Sequence, residues 1–304
     1  MNELHRTLGI LDLNVLGNSK LVLVGLGSLG SLTLANLCYP FKEVVLIDPD
    51  ILEDKNIERH LLGPEEIGES KVMGCWRWMK SRGVYPKKIT ACHGRVEDIL
   101  MKHADADVVI LSVDNPDTKY FVNNFCATFQ TPLIMGGIYP LGDGGEVTVI
   151  TDYDRGCLCC VEHQLGRDAY MGKSVDYGLG TDSVKSAIVG LQAVPALRGP
   201  VSEIAAVISS VVLDIVQGKA VENHIYLRAR SWTPVINTSD HSLLKILSEY
   251  INIQDRIGLY PNCRLRPNAK GVKQFEISDS SLRLKVQKWD RCPEHQQTVS
   301  LEDI

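Results

Sequence analysis

The apolar run Leu21-Val-Leu-Val24 stops at Gly25-Leu-Gly27-Ser-Leu-Gly30, and leucines and alanines at helical spacing continue from Ser28 to Tyr39. A β-branched-rich run ending on glycine reads as a strand and a tight turn, and the helical spacing beyond it reads as a helix. Glycines at Gly25, Gly27 and Gly30 let the backbone turn sharply and let a ligand approach it closely. The helix start beyond them presents free N–H groups and a partial positive charge to a phosphate. A second apolar strand, Glu43 to Ile47, ends in Asp48, where a carboxylate can accept hydrogen bonds from a ribose hydroxyl. Taken alone, this fingerprint implies a dinucleotide such as NAD or FAD.

The remaining pattern extends the same architecture. Asp107 to Val113 is a third strand, followed by Asp114, and Glu69 to Arg82 and Thr118 to Phe129 read as helices. Strands alternating with helices imply an α/β, Rossmann-like, mostly parallel sheet with helices on both faces. From Thr131 the character changes: Pro132 to Tyr139 and Gly145 to Ile150 read as paired strands around a glycine-rich turn, a mixed-sheet extension. Asp168 to Ser183 shows little periodicity and reads as a long loop. Pro200 to Lys219 has the strongest helical pattern. Beyond Gly218 the pattern weakens to one amphipathic helix around His241 to Tyr250 and a polar tail from Pro261. The expected division is a nucleotide-binding domain over 1–222 and a C-terminal segment over 223–304.

Composition narrows the partners. With 304 residues, 44% hydrophobic and 23% charged, the chain can bury a large core. A formal charge of −5 offers no global positive field for nucleic acid or an anionic membrane. Met1 to Lys20 interleaves His5, Arg6, Asp12, Asn14 and Lys20 with leucines, unlike a signal peptide, and the apolar stretch Ile204 to Val216 is too short to span a bilayer. A cytoplasmic location is the expectation, and nine cysteines in such a chain argue against a disulfide framework.

The segment after Asp48 points away from a dehydrogenase. Asp48-Pro-Asp50-Ile-Leu-Glu-Asp54-Lys-Asn56-Ile-Glu-Arg59-His60, then Ile67-Gly-Glu-Ser-Lys71, resembles the signature of the ThiF/MoeB/HesA superfamily, which includes the ubiquitin-activating enzymes. The matching residues are Asp48, Asp50, Asn56, Arg59, Lys71 and Asp114. Asp54-Lys55 departs from the usual serine, and His60 stands where glutamine is common. The resemblance implies ATP bound on the glycine turn and Asp48, and attack by a C-terminal carboxylate of a ubiquitin-like or sulfur-carrier protein, or of a peptide, on its α-phosphate. It implies a homodimer in which Arg6 reaches the partner subunit's ATP. The unusual tail from Asn223 to Leu284 lies beyond the main stretch of resemblance, and the expectation is that 223–304 is the partner-recognition segment. The residue chemistry fits independently: in-line displacement at phosphorus accumulates charge on oxygens and needs placed cations more than a nucleophilic side chain. Arg59 and Lys71 supply two cations, Asn56 can orient a phosphate oxygen, and Asp114 can hold Mg²⁺.

Gly156-Cys157-Leu-Cys159-Cys160 and the distant Cys292-Pro-Glu-His295 together offer a Cys-x-x-Cys and a Cys-x-x-His pair, the donor set of a closed tetrahedral zinc site. Cys157, Cys160, Cys292 and His295 are the expected ligands, with Cys159 spare and Cys263 a rival. A metal-free reduced cluster remains the alternative. Cys38, Cys75, Cys92 and Cys126 lie in or beside apolar runs and read as core. His163 is a candidate ligand or base but reads first as an ordinary loop histidine, and Arg198 reads as a helix-entry residue that could meet an anionic substrate. The ubiquitin-activating branch uses a thioester cysteine in the crossover region before the long alanine-rich helix, but Val161 to Val201 contains none, so a thioester is not expected unless Cys159 or Cys263 is recruited. An NAD-dependent oxidoreductase and a non-catalytic scaffold subunit are the competing functions; a scaffold has no need of Asn56, Arg59, Lys71 and Asp114 together.

Overall fold

The computed structural model describes residues 7, 9–83, 85–138, 144–165, 197–229, 264–267, 273–276 and 280–295. Arg6, the 168–183 loop, the 241–250 helix and Cys263 lie outside these residues. The strands are β1 (Lys20–Val24), β2 (Glu43–Asp48), β3 (Lys88–His93), β4 (Val108–Leu111), β5 (Leu133–Ile138), β6 (Gly144–Ile150), β7 (His224–Ala229), β8 (Arg264–Pro267), β9 (Lys273–Glu276) and β10 (Ser280–Lys285). Eight of them form one sheet in the order β10-β7-β6-β5-β4-β1-β2-β3, and β8 and β9 form a separate antiparallel pair. β3, β2, β1, β4 and β5 run parallel, whereas β6, β7 and β10 add antiparallel. This is the expected parallel sheet with a mixed extension.

The central strands are legible because both faces are covered. β1 alternates between two cores: Leu21 and Leu23 face one, Val22 and Val24 the other. The first core packs α2 (Ser28–Asn36), α3 (Lys71–Ser81) and α7 (Arg198–Val216) on one face. The second holds α4 (Val96–Ile99), α5 (Pro116–Phe129) and α6 (Leu158–Gln164); α1 (Leu13–Leu16) leads into β1. Among the described residues α7 is the one helix long and apolar enough to cross a bilayer. It instead buries Ile204, Ala205, Ile208 and Val212, and Ile208 reaches the spaces left by Gly136 and beside Leu29.

Several elements are hidden by the sequence pattern. β3 is the sheet edge and is only partly buried, so it has no continuous apolar run. His163 sits in α6, not in a loop. The region read as a polar tail carries β8, β9 and β10, and β10 pairs with β7 from Ser280 opposite Ala229 to Lys285 opposite His224.

Candidate nucleotide site and metal cluster

The chain's topology reverses at β1, which has β2 on one side and β4 on the other, so a crevice opens beyond its carboxyl end. Gly25 stands there with φ +87, a left-handed conformation, and a Cβ would lie 2.6 Å from the Ser112 carbonyl oxygen. A Cβ on Gly30 would overlap the Gly25 carbonyl, so these two glycines are required by packing. Gly27 is different. Its φ of −70 suits any residue, and a Cβ there would meet no atom within 4 Å. The open space at Gly27, at the start of α2, is where a phosphate can approach the backbone.

Asp48 is buried at 4% exposure, accepting the Leu26 N–H on Oδ2 at 2.5 Å and the Asp50 N–H on Oδ1 at 2.8 Å. Burial outweighs these bonds and the nearby Lys71 charge, raising its pKa above the usual carboxylate range. Lys71, at the start of α3, is likewise buried, and its ammonium sits 2.7 Å from the exposed Asp50 carboxylate. Its backbone N–H also donates to the Asp50 carbonyl at 3.1 Å. Asn56 closes a single 3₁₀ turn over Asp54–Asn56; its Oδ1 accepts the Glu53 N–H, and its carbonyl accepts the N–H groups of Arg59 and His60. Arg59 is half-buried, and Asp114 is exposed just beyond β4.

Two clamps that the sequence does not advertise bring the Arg59 segment to the glycine turn. The His60 ring lies 2.7 Å from the Leu26 carbonyl through Nε2, and its Nδ1 accepts the Leu62 N–H at 3.1 Å. Those partners place the proton on Nε2. Burial, with the Lys71 and Arg198 charges adding, lowers its pKa from 6.5 to about 4, so it is neutral at physiological pH. The second clamp is the Ser31 hydroxyl in α2, which accepts the Leu61 N–H at 3.2 Å. Arg198, placed by the sequence at a helix entry, is the first residue of α7, and its charge is felt at His60.

Cys157, Cys160, Cys292 and His295 also converge, with their ligating atoms all within 4.8 Å of one another. Cys157 Sγ lies 3.9 Å from Cys160 Sγ and 3.6 Å from Cys292 Sγ. Thiolates bound tetrahedrally at a metal–sulfur distance of ~2.3 Å would stand ~3.8 Å apart. His295 Nε2 is buried with no hydrogen-bond partner among the described residues, an orphan that a metal would satisfy. The shell is built: the Trp289 N–H donates to Cys160 Sγ at 3.4 Å, and the Trp289 ring stacks on His163 at 4.1 Å. His163 therefore serves as a stacking partner here. Cys159 is buried beside the cluster, and burial pushes the Cys75 and Cys126 thiols up to about 12, as expected of core cysteines.

Residues 2–226 match the ThiF family. The SAMP-activating enzyme E1 of Haloferax volcanii is 27% identical over 141 residues, 44% of this chain and 51% of that protein. The sulfur carrier protein ThiS adenylyltransferase of Escherichia coli is 29% identical over 150 residues, covering 47% of this chain and 58% of that protein. The chain thus spans about half the length of these curated relatives. Among solved structures, E. coli MccB with ATP superposes at a TM-score of 0.57, with 18% identity over 92% of this chain and 68% of that one. That likeness carries the fold: a mostly parallel sheet with an antiparallel extension. By the match over 2–226, the chain belongs to the ThiF family.

Proposed function

We propose that the protein adenylates a C-terminal carboxylate with ATP, releasing pyrophosphate. The observation that carries this is the His60 contact to the Leu26 carbonyl at 2.7 Å, which ties the Arg59 segment to the glycine turn. A phosphate seated at Gly27 then has a cation-bearing segment fixed beside it, with Lys71 anchored at the end of the neighbouring strand β2. In this reading Gly25, Gly27 and Gly30 shape the phosphate seat and Asp48 takes a ribose hydroxyl. Arg59 and Lys71 stabilise charge developing on the phosphate oxygens, and Asn56 orients one of them through its Nδ2 donor. Asp50 holds Lys71 in place until the nucleotide enters. Asp114 would hold Mg²⁺, which supplies charge neutralisation on the phosphates when bound.

The substrate is the C-terminus of a ubiquitin-like or sulfur-carrier protein, or of a peptide. Relatives named for activating such carriers support this class, as do solved MccB complexes named for MccA. The product is an acyl adenylate, and since 161–201 contains no cysteine, a thioester would have to recruit Cys159 or Cys263. We assign zinc to Cys157, Cys160, Cys292 and His295, a set with no open position for chemistry. The enzyme works as a cytoplasmic homodimer in which Arg6 serves the partner's site, and 223–304 selects the carrier.

The test is ATP–pyrophosphate exchange. Exchange should require a carboxylate-bearing partner and fall on the order of 10²–10³-fold in Arg59→Ala or Lys71→Ala. Tight NADH binding with no ATP binding would establish an oxidoreductase instead.

A further inference from the structure

Between Glu69 and Glu97 the sequence holds no acidic residue, although the whole chain carries a formal charge of −5. Seven cations fall in that stretch: Lys71, Arg77, Lys80, Arg82, Lys87, Lys88 and Arg95. Five of them are matched to oxygens. Lys71 meets Asp50, Arg77 pairs with Glu69, Lys88 with Glu43 at 2.8 Å and Arg95 with Glu97 at 3.5 Å, and the Lys87 ammonium donates to the Gly17 carbonyl at 2.7 Å. Lys80 and Arg82 are held differently, over aromatic rings. Lys80 Nζ lies 5.8 Å from the centre of the Trp76 ring and 4.4 Å from that of Tyr85, and the Arg82 guanidinium carbon lies 5.3 Å from the centre of the Trp78 ring.

Trp76 with Lys80 and Trp78 with Arg82 are both i, i+4 pairs, the spacing at which helical side chains meet. Val72, Cys75 and Met79 seat α3 on the core, so the two pairs run along opposite flanks of that buried stripe and bring both cations, exposed, to the last turn of the helix and its C-cap. A cation lying on a ring face keeps N–H donors for a carboxylate, and the ring has already narrowed the rotamers that a long side chain gives up on binding. Beside Arg82 opens a groove of about 450 Å³, lined by Trp78 and Arg82 of α3, Ala35 and Asn36 of α2, and Cys38 and Tyr39. The nucleotide crevice is at the other end of this helix: α3 starts with Lys71 and runs for 11 residues, a span of ~16 Å.

We propose that the C-terminal end of α3 docks an acidic segment of a partner protein. An apolar side chain of the segment enters the groove against Trp78, and neighbouring carboxylates meet Arg82 and Lys80. Charge complementarity selects this occupant. A nucleic acid fits less well, because the two cations already cover ring faces on which its bases would stack, and the net charge of the chain repels a polyanion. The docked segment and the nucleotide are held at opposite ends of one helix and do not compete.

Fluorescence anisotropy on the full chain, with a labelled peptide repeating Glu-Glu-Leu, tests this beside a Gln-Gln-Leu peptide and an oligouridylate RNA, with sedimentation velocity to follow self-association. The acidic peptide should bind, weaken with added salt, and bind about tenfold or more tighter than the neutral one. Arg82→Glu and Lys80→Glu should each lower its affinity about tenfold or more, with melting temperature and ATP affinity as in wild type. Trp78→Leu keeps an apolar groove wall and removes the ring under Arg82, so its loss should be smaller. Equal binding of the two peptides, affinity unchanged by both charge reversals, or no binding of the acidic peptide at low salt would overturn the assignment. Tighter binding of the RNA would give the surface to a nucleic acid instead, and self-association abolished by the charge reversals would give it to a second copy of this chain.

Discussion

At the scale of single residues, the glycine turn separates packing from function. Gly30→Ala places a Cβ against the Gly25 carbonyl and should destabilise the protein by roughly 1–3 kcal/mol in thermal or urea melts. Gly27→Ala has both room and an ordinary φ, so its melting should match wild type while ATP affinity falls about tenfold or more. His60 gives a pH signature. Its folded pKa of about 4 lies below its ordinary 6.5, so the stability tied to its neutral form is complete above pH 6.5. That stability, on the order of 3 kcal/mol, is lost as pH falls from 6.5 towards 4. Urea melts across that window should show the loss in wild type and a flatter profile in His60→Gln. The glycines, Asp48 and the Asn56 to Lys71 series were legible because each is tied to a strand end or a fixed local spacing. His60 to Leu26, Ser31 to Leu61 and Ser70 to His93 were not, since those contacts join segments 34, 30 and 23 residues apart that only folding brings together.

At the scale of elements, α7 binds the parallel half of the sheet to its antiparallel extension. Ile204 packs against Gly145 of β6, and Ile208 against Gly136 of β5 and Leu29 of α2. Ile208→Ala should cost about 2–5 kcal/mol in urea unfolding, because the site is fully buried and a rigid sheet and helix surround it. Its run of isoleucine, valine and alanine announced it in the sequence. β3 stayed hidden because an edge strand needs no unbroken apolar run, and α6 because it spans only seven residues, with cysteines at two of its four buried apolar positions. β7 and β10 were hidden for another reason: their antiparallel pairing joins segments separated by a long stretch of chain, and nothing in either alone names the other.

At the scale of the whole molecule, the cluster of Cys157, Cys160, Cys292 and His295 fastens the chain after β10 to the helix after β6. If zinc occupies it, elemental analysis should find one zinc per chain. Chelation or Cys157→Ser should then lower the melting temperature by several degrees, since binding to the folded state adds directly to its stability. Absence of zinc together with an unchanged melt after chelation would leave a reduced cysteine cluster as the right description. The fate of ATP is read most directly from the product. Incubation of the chain with Mg-ATP and a carrier or peptide substrate, followed by mass spectrometry of the substrate's C-terminal fragment, should show an AMP adduct that is absent with Lys71→Ala. Release of ADP with phosphate on the substrate, or no ATP-dependent adduct beside tight NADH binding, would contradict adenylation.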